Sequence, residues 1–209
     1  MDRREAVKYI SVLLGGTVIG ANAFLTGCKS KTGSIHEWSE EDIAYLNEIG
    51  ETILPKTSTP GAKDANVGQF MTVMVNDCYE ESEQKAFREG MNKLNDAADK
   101  KFGNDFMKLT PQQRHELLVQ LDKEAKEYQN KASDFNNKER LKEKEEIAKG
   151  NLKYVRSNMA PHYFTMMKQL TMLGLFTSKV GMMEVLKYEP IPGRFEGCVP
   201  YKKGDKLWV

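Results

Sequence analysis

The stretch that decides the fold is Ile49-Gly-Glu-Thr-Ile-Leu-Pro-Lys-Thr-Ser-Thr-Pro-Gly-Ala-Lys-Asp-Ala-Asn-Val-Gly-Gln-Phe-Met71, which joins two amphipathic helical patterns. Pro55 lacks a backbone donor and disfavours helical geometry in the residue before it, so it is predicted to end the first helix. Thr59-Pro60-Gly61 has the composition of a tight turn. Asp64 is then predicted to cap the second helix. Because no titratable cluster converges here, the stretch is typical of a scaffold corner and not of an active site.

The segment before this stretch has the pattern of an amphipathic helix that starts at Ser39. Ser39 is a good N-cap, and Asp42 three residues later completes a variant of the capping box. The apolar residues that follow at helical spacing are Ile43, Leu46, Ile49, Ile53 and Leu54. Glu48 and Glu51 are interpreted as a solvated polar face, because no other catalytic residue type accompanies them.

The second helix is predicted over about residues 65 to 79, because its apolar residues recur at intervals of three and four. They are Val67, Phe70, Met71, Met74, Val75, Cys78 and Tyr79. Cys78 is therefore predicted to lie on the buried face. Ser82 is predicted to cap a third helix that ends near Gly103.

A fourth helix is predicted to start at Thr110-Pro111-Gln112-Gln113, which supplies an N-cap, a first-turn proline and a capping-box glutamine. His115 has polar neighbours and is predicted to be exposed. Residues 131–150 hold six Lys/Arg and five Asp/Glu with few apolar residues. This composition indicates either a solvated helix or a mobile insert outside the core.

The fifth helix is predicted to be the central one, because its apolar residues cover a broad arc of the helix. They are Tyr163, Phe164, Met166, Met167, Leu170 and Leu173. Pro161 fits its first turn and Gly174 its end, after which Ser178 can cap a short sixth helix. His162 has no metal-ligand spacing and no nucleophile nearby, so a ligand or acid–base role is not favoured.

After Tyr188 the chain changes character and predicts a long irregular C-terminal arm. Regular structure is precluded by Pro190, Pro192, Gly193, Gly197, Pro200 and Gly204. The arm also carries Phe195, Cys198, Tyr201 and Trp208. Exposure of all four side chains to water would be unfavourable. We therefore expect the arm to pack on its own domain or, preferentially, on a partner.

Composition bounds the function of this 209-residue chain. A net charge of +1 gives no overall preference for nucleic acid or an anionic surface. The sequence contains no Cys-x-x-Cys-His haem motif, no Gly-x-Gly-x-x-Gly dinucleotide motif, no Gly-x-Ser-x-Gly, no His-Glu-x-x-His and no Walker loop. We therefore expect no catalytic residues, no bound cofactor and no metal site in this chain.

The first 27 residues have the layout of an export signal. Arg3, Arg4 and Lys8 precede an apolar run that several glycines dilute, which resembles signals of the twin-arginine route for folded proteins. The general secretory route is the alternative, because Ala6 stands where such signals usually have phenylalanine.

Leu25-Thr26-Gly27-Cys28 looks like a bacterial lipobox, in which Cys28 accepts a lipid and becomes the new N-terminus. Residues 28–37 would then form a tether and residues 38–209 the folded domain. This predicts a lipid-anchored protein on the periplasmic side of a bacterial membrane, and the alternative is an uncleaved anchor helix.

Lipidation of Cys28 leaves two thiols, Cys78 and Cys198. An oxidising compartment favours an intrachain disulfide between them. Two buried free thiols, or a bond from Cys198 to another subunit, are the alternatives.

Two separated motifs resemble the gluconate 2-dehydrogenase subunit 3 family. The first is Glu51-Thr-Ile-Leu-Pro-Lys-Thr…Thr59-Pro-Gly-Ala-Lys-Asp-Ala65. The second runs from Leu170-Thr-Met-Leu-Gly-Leu-Phe-Thr-Ser178 to Tyr188-Glu-Pro-Ile-Pro-Gly-Arg-Phe-Glu-Gly-Cys-Val-Pro-Tyr201. Leu175 stands where the family has an aromatic residue, and the resemblance covers roughly residues 38 to 208.

The resemblance implies a single all-α domain that serves as the non-catalytic small subunit of a membrane-bound dehydrogenase for sugars or sugar acids. FAD would sit in a large flavoprotein of the glucose-methanol-choline type, and haem in a cytochrome c subunit that accepts the electrons. The small subunit would help the flavoprotein through the twin-arginine machinery. From the two motifs, the residues expected to face the partner are Pro55, Thr59, Pro60, Gly61, Pro192, Gly193, Phe195 and Tyr201.

Two other hypotheses stay open on the residues alone. One is a free-standing envelope lipoprotein that binds a ligand or another envelope protein in a concave apolar pocket. The other is an enzyme that uses Glu48, Glu51 or His162, which would require these side chains to converge in one cleft.

Overall fold

The computed structural model describes residues 37–191, 193–194 and 197–209, and within these ranges it contains five α-helices. They are α1 (Glu40–Ile53), α2 (Val67–Cys78), α3 (Glu81–Phe102), α4 (Pro111–Ala148) and α5 (Tyr163–Thr177). A 3₁₀ turn at Phe106–Lys108 lies between α3 and α4, and a π-helical turn at Gly181–Val185 follows α5. The all-α prediction is confirmed. No helix in these ranges is long and apolar enough to cross a membrane.

The predicted export signal and lipidation site fall outside the described residues. This applies to Arg3, Arg4, Lys8 and Cys28, and on the C-terminal arm to Pro192 and Phe195. Residues Trp38–Val209 form one compact unit.

Helix α5 occupies the centre of this unit and packs against each of the other four helices, as its broad apolar arc predicts. Its buried apolar side chains are Tyr163, Phe164, Met166, Met167, Leu170 and Leu175. They join one core with the inner faces of α1 to α4. Leu173, which was predicted to belong to the same arc, is 44% exposed.

The predicted starts of α1 and α4 are confirmed. The Ser39 hydroxyl accepts from the Asp42 N–H at 3.1 Å, and the Thr110 hydroxyl accepts from the Gln113 N–H at 3.3 Å. In both helices the third residue reciprocates, so each has a complete capping box.

The predicted caps of α2 and α3 are wrong. Asn66 takes the N-cap position of α2 in a left-handed conformation, because the Asp64 carboxylate is engaged by Gly61 and Lys56 in the preceding loop. Glu80 takes the N-cap position of α3, and its N–H donates to the Glu83 carboxylate at 3.1 Å.

The predicted ends of α5 also need correction. Pro161 lies before the helix, whose N-cap is His162. Gly174 lies inside α5, where a Cβ would come within 2.8 Å of Phe70 Cδ1 on α2. The residue therefore permits close helix packing and does not end the helix.

Cys78 is exposed, contrary to the prediction that it lies on the buried face of α2. The helix ends at this residue, and the extended conformation of Tyr79 redirects the chain. The half-buried Tyr79 ring then packs on the core in its place.

Gly68 sets the distance between α1 and α2. A Cβ at this position would overlap the Ile43 carbonyl oxygen and lie 2.9 Å from the Asn47 backbone nitrogen. The Gly68 N–H donates to Asn47 Oδ1 at 2.8 Å, which joins the two helices directly. Only glycine allows backbones to approach this closely.

The charged segment after residue 130 is helical and continues α4 to Ala148. A return segment, residues 151–161, runs back along it through polar contacts. The Asn136 amide bonds both the N–H and the carbonyl of Met159, at 2.9 and 3.3 Å, and Glu139 accepts from the Tyr154 hydroxyl at 3.1 Å. Arg156 also pairs with Glu143 at 3.5 Å. This extension is therefore held by polar contacts and not by a hydrophobic core.

Candidate interaction surface

The loop between α1 and α2, residues 54–66, carries the first sequence motif, and we call it the motif loop. Glu51 holds it together. Its two carboxylate oxygens accept from the backbone N–H groups of Lys56 at 2.8 Å and Lys63 at 3.0 Å. A Cβ on Gly61 would come within 2.6 Å of this carboxylate, so the glycine makes room for it.

The other side of the motif loop is fixed by Asp64. Its carboxylate accepts from the Gly61 N–H and from the Lys56 ammonium, both at 3.0 Å. The hydrogen bond with Asp64 raises the pKa of Lys56, and Glu51 and Glu184 raise it further.

Glu48 ties the motif loop to α4. Its carboxylate forms ion pairs with Lys63 in the loop and with Arg114 in the first turns of α4. Arg114 also donates to the carbonyl oxygens of Phe106 at 3.0 Å and Met107 at 2.6 Å. The side chains of Arg114 and Glu48 are only 12% and 18% exposed. Such a charge-assisted network fixes the geometry of its members.

The interpretation of Glu48 and Glu51 as a solvated polar face is therefore wrong. Helical periodicity places both on the polar side of α1, but it cannot show that Arg114, 66 residues later, approaches that side. Arg114 and Lys63 are the structural residues that sequence reasoning missed. The proline-led start of α4 next to Arg114 was the only signal available.

A hollow of about 270 Å³ opens where the motif loop meets the start of α4. Its lining includes Pro55, Thr52, Pro111 and His115, together with Glu48, Glu51 and Arg114. His115 is exposed, as predicted. Most of the hollow's surface is apolar. The carboxylates of Glu48 and Glu51 are engaged in the ion pairs and hydrogen bonds described above.

Thr52 and His115 also line a second depression of about 360 Å³, which we call the α4–α5 groove. Its floor is apolar and consists of Ile53, Leu118, Val119 and Phe164. Lys123, Lys126 and Lys168 stand around the floor together with Asp122. Val119 is 43% exposed. The hollow and the groove share Thr52 and His115 in their linings, so the two depressions adjoin beside the motif loop.

Asp122 organises the cations of the groove. It accepts from Lys168 at 2.6 Å and lies 3.0 Å from Lys126. The hydrogen bonds from these two lysines hold the pKa of Asp122 below its ordinary value of 3.8.

The stability of the protein should therefore depend on Asp122 in acid. The folded-state pKa lies below that of the unfolded chain, so the stabilisation is complete above the unfolded value and is lost as pH falls through the folded value. Asp122→Asn should lower stability at neutral pH and flatten the decline in acid. Urea midpoints measured from about pH 6 to about pH 3 test this, and a decline as steep as that of the wild type would contradict it.

The predicted partner-facing residues have different positions. Pro55 is exposed and lines the hollow, whereas Thr59 and Pro60 are half-buried. Gly61 is buried beneath the Glu51 carboxylate, so it supports the loop and cannot itself face a partner. Gly193 and Tyr201 lie on the arm and are exposed, Tyr201 by 67%.

The arm folds back on itself at its base. Lys187 and Trp208 form an isolated parallel bridge, with backbone hydrogen bonds of 2.8 Å to Leu207 and 3.2 Å from Val209. The Lys187 ammonium lies 3.5 Å from the centre of the Trp208 ring. Ile191 remains 81% exposed, so the arm buries little of its own apolar surface.

The three residues of the enzyme hypothesis do not share a cleft. Glu48 and Glu51 line the hollow, whereas His162 caps α5 between the rings of Tyr128 and Tyr163. His162 Nδ1 accepts from the Phe164 N–H at 3.3 Å, and burial lowers the pKa of its imidazole. Within the described ranges no group of three or more His, Cys, Asp or Glu could hold a metal ion.

Cys78 and Cys198 are free thiols in the structure, and both are exposed. We expect both to react with a maleimide in the folded protein and to be found alkylated by peptide mass spectrometry. An unlabelled peptide pair linked by a disulfide would show instead that the predicted intrachain bond forms on oxidation. Cys28 in the same sample controls for lipidation, which blocks its thiol.

Comparison with known proteins gives one family. The model of the family described as gluconate 2-dehydrogenase subunit 3 matches residues 40–193, from the first turn of α1 into the arm. No curated protein and no solved structure matches the chain.

Proposed function

Because the chain belongs to the gluconate 2-dehydrogenase subunit 3 family, we propose that it is the non-catalytic small subunit of an FAD-dependent sugar or sugar-acid dehydrogenase. The observation that carries the proposal is the extent of the family match, which includes the whole motif loop, all five helices and the start of the arm. The two adjoining depressions beside the motif loop support it, because both are lined largely by apolar surface, as the centre of a protein interface is.

In this complex the flavoprotein subunit, of the glucose-methanol-choline type, binds FAD and oxidises the substrate. A cytochrome c subunit receives the electrons through its haem. The small subunit binds the flavoprotein and contributes no group to the chemistry.

The small subunit also directs export and location. Its Arg3-Arg4 signal takes the complex through the twin-arginine pore with the flavoprotein already folded and loaded with FAD. The lipid on Cys28 then holds the complex on the periplasmic side of the membrane.

Affinity capture of the full chain from its native envelope tests the subunit assignment. We expect a stoichiometric co-purifying protein with flavin absorbance, and less of it when the arm after Tyr188 is deleted. A clean monomer without flavin would overturn the assignment and favour a free-standing envelope lipoprotein.

The export role is tested separately with Arg3→Lys and Arg4→Lys together. Both the small subunit and the flavoprotein should then stay in the cytoplasm, whereas Cys28→Ala should release the exported complex from the membrane. Normal export of the flavoprotein without the arginine pair would show that it travels independently.

A further inference from the structure

We propose that the α4–α5 groove binds an acidic amphipathic helix of the flavoprotein subunit, with apolar residues on its floor and carboxylates on its lysines. The inference rests on the proposed function and specifies the surface and the chemistry of the contact. It differs from the interface expected from the two motifs, because only Pro55 of those residues borders this surface.

The floor of the groove favours a buried apolar contact. Ile53, Leu118, Val119 and Phe164 come from three different helices, so the floor is held rigidly by the core beneath it. Leu118 and Phe164 are buried beneath the floor, and Val119 is the apolar side chain that it exposes most. A groove between two helices is also the shape that accepts the apolar face of a third helix.

The charges around the floor indicate the sign of the charge that the partner presents to the groove. Three lysines and a single carboxylate line the groove, so its own charge is positive. Lys126 and Lys168 are held by Asp122, and each ammonium keeps donors free because it has three. Lys123 makes no ion pair with any residue in the described part of the chain. These cations complement carboxylates beside the apolar face of a helix.

The groove's place in the fold identifies the flavoprotein as the occupant. Through Thr52 and His115 it continues into the hollow beside Pro55, at the edge of the motif loop. Thr52 and Ile53, which line the groove, belong to the first motif of the family. A partner that recognises the motif loop would cover the groove as well.

Photo-crosslinking in the native envelope tests the location and the chemistry together. A benzoylphenylalanine at Val119 should crosslink to the flavoprotein, and the crosslinked peptide should carry carboxylates flanking apolar residues. Val73 on α2 is the matched control, because it is a valine of similar exposure, 48% against 43%. Crosslinking of Val73 alone to the flavoprotein would keep the proposed function and overturn the groove. A crosslink from Val119 to a second copy of this chain would overturn it too.

Two substitutions measure the contribution of the groove to binding. Val119→Asp should reduce flavin retained by the immobilised full chain at least about 30-fold, because it puts a charge at the centre of the contact. Val73→Asp should leave it unchanged. Lys123→Glu should reduce retention at least about fivefold and weaken its dependence on salt, because like charges then face each other. Lys138→Glu makes the same charge change at an exposed site on the same helix and should have no effect.

The remaining outcomes each decide the proposal. Equal retention by Lys123→Glu and Lys138→Glu at every ionic strength would overturn the acidic-helix chemistry. If Lys123→Glu abolishes binding to anionic phosphatidylserine vesicles and leaves flavin retention intact, the groove binds lipid and the proposal is wrong. If no variant and no wild-type sample retains flavin, the proposed function fails and the groove proposal fails with it. Circular dichroism of each variant separates these results from loss of folding.

Discussion

Gly68→Ala is expected to lower the free energy of unfolding by about 3 kcal/mol, although alanine is the better helix former. At an open helical position the same change would stabilise the protein by about 1 kcal/mol. Here the new methyl group would overlap the Ile43 carbonyl oxygen and lie 2.9 Å from the Asn47 backbone nitrogen. Both of these atoms belong to the backbone of α1. Because no flexible side chain can move aside, α1 and α2 must separate.

The measurement is a urea unfolding curve for the wild type and the variant. Gln69→Ala is the control, since Gln69 is an exposed neighbour on the same helix and its replacement should change stability by less than about 0.5 kcal/mol. Equal stability of Gly68→Ala and wild type would mean that the two helices do not approach each other as closely as the structure shows.

Arg114→Ala should be the second strongly destabilising change, by about 3 to 5 kcal/mol. It leaves the largely buried Glu48 carboxylate with Lys63 as its remaining ion-pair partner, and it removes the donor to two carbonyl oxygens. Because Glu48 also positions the motif loop, flavoprotein binding should fall together with stability.

A second variant shows whether the charge or the packing matters. In Arg114→Ala/Glu48→Gln the largely buried carboxylate that has lost Arg114 is replaced by a neutral amide, so this double variant should be more stable than Arg114→Ala alone. Lys101→Ala, which breaks an ion pair with the exposed Glu116, should cost no more than about 1 kcal/mol. If Arg114→Ala costs no more than Lys101→Ala, the network does not hold the loop.

The sequence predicts the helices better than it predicts their ends. Apolar periodicity and the capping boxes at Ser39 and Thr110 are local signals, and both are confirmed. The caps of α2 and α3 were missed because several polar residues compete near each start. Asp64 is used by the loop, and so the cap position passes to Asn66.

The candidate surface was harder to predict because its contacts are distant in sequence. The motif loop was identified from Pro55 and its neighbours, but the pairing of Glu48 with Arg114 joins residues 66 positions apart. The groove combines side chains from α1, α4 and α5, and no single helical pattern contains it. The exposed Val119 belongs to an otherwise ordinary amphipathic helix, so nothing in its local sequence marks it as a contact.

The polar contacts along the end of α4 have a consequence for the dynamics of the molecule. Segments with few buried apolar contacts open at a lower free energy than the core and exchange their amide hydrogens through local unfolding. After correction for the intrinsic exchange rate, the protection of amides in residues 133–148 should therefore fall with salt and with acid, which weaken the contacts of Glu139 and Glu143. Amides in α5 should exchange only through global unfolding. Hydrogen–deuterium exchange would thus divide α4, one continuous helix, into two cooperative units with a boundary near Ala132.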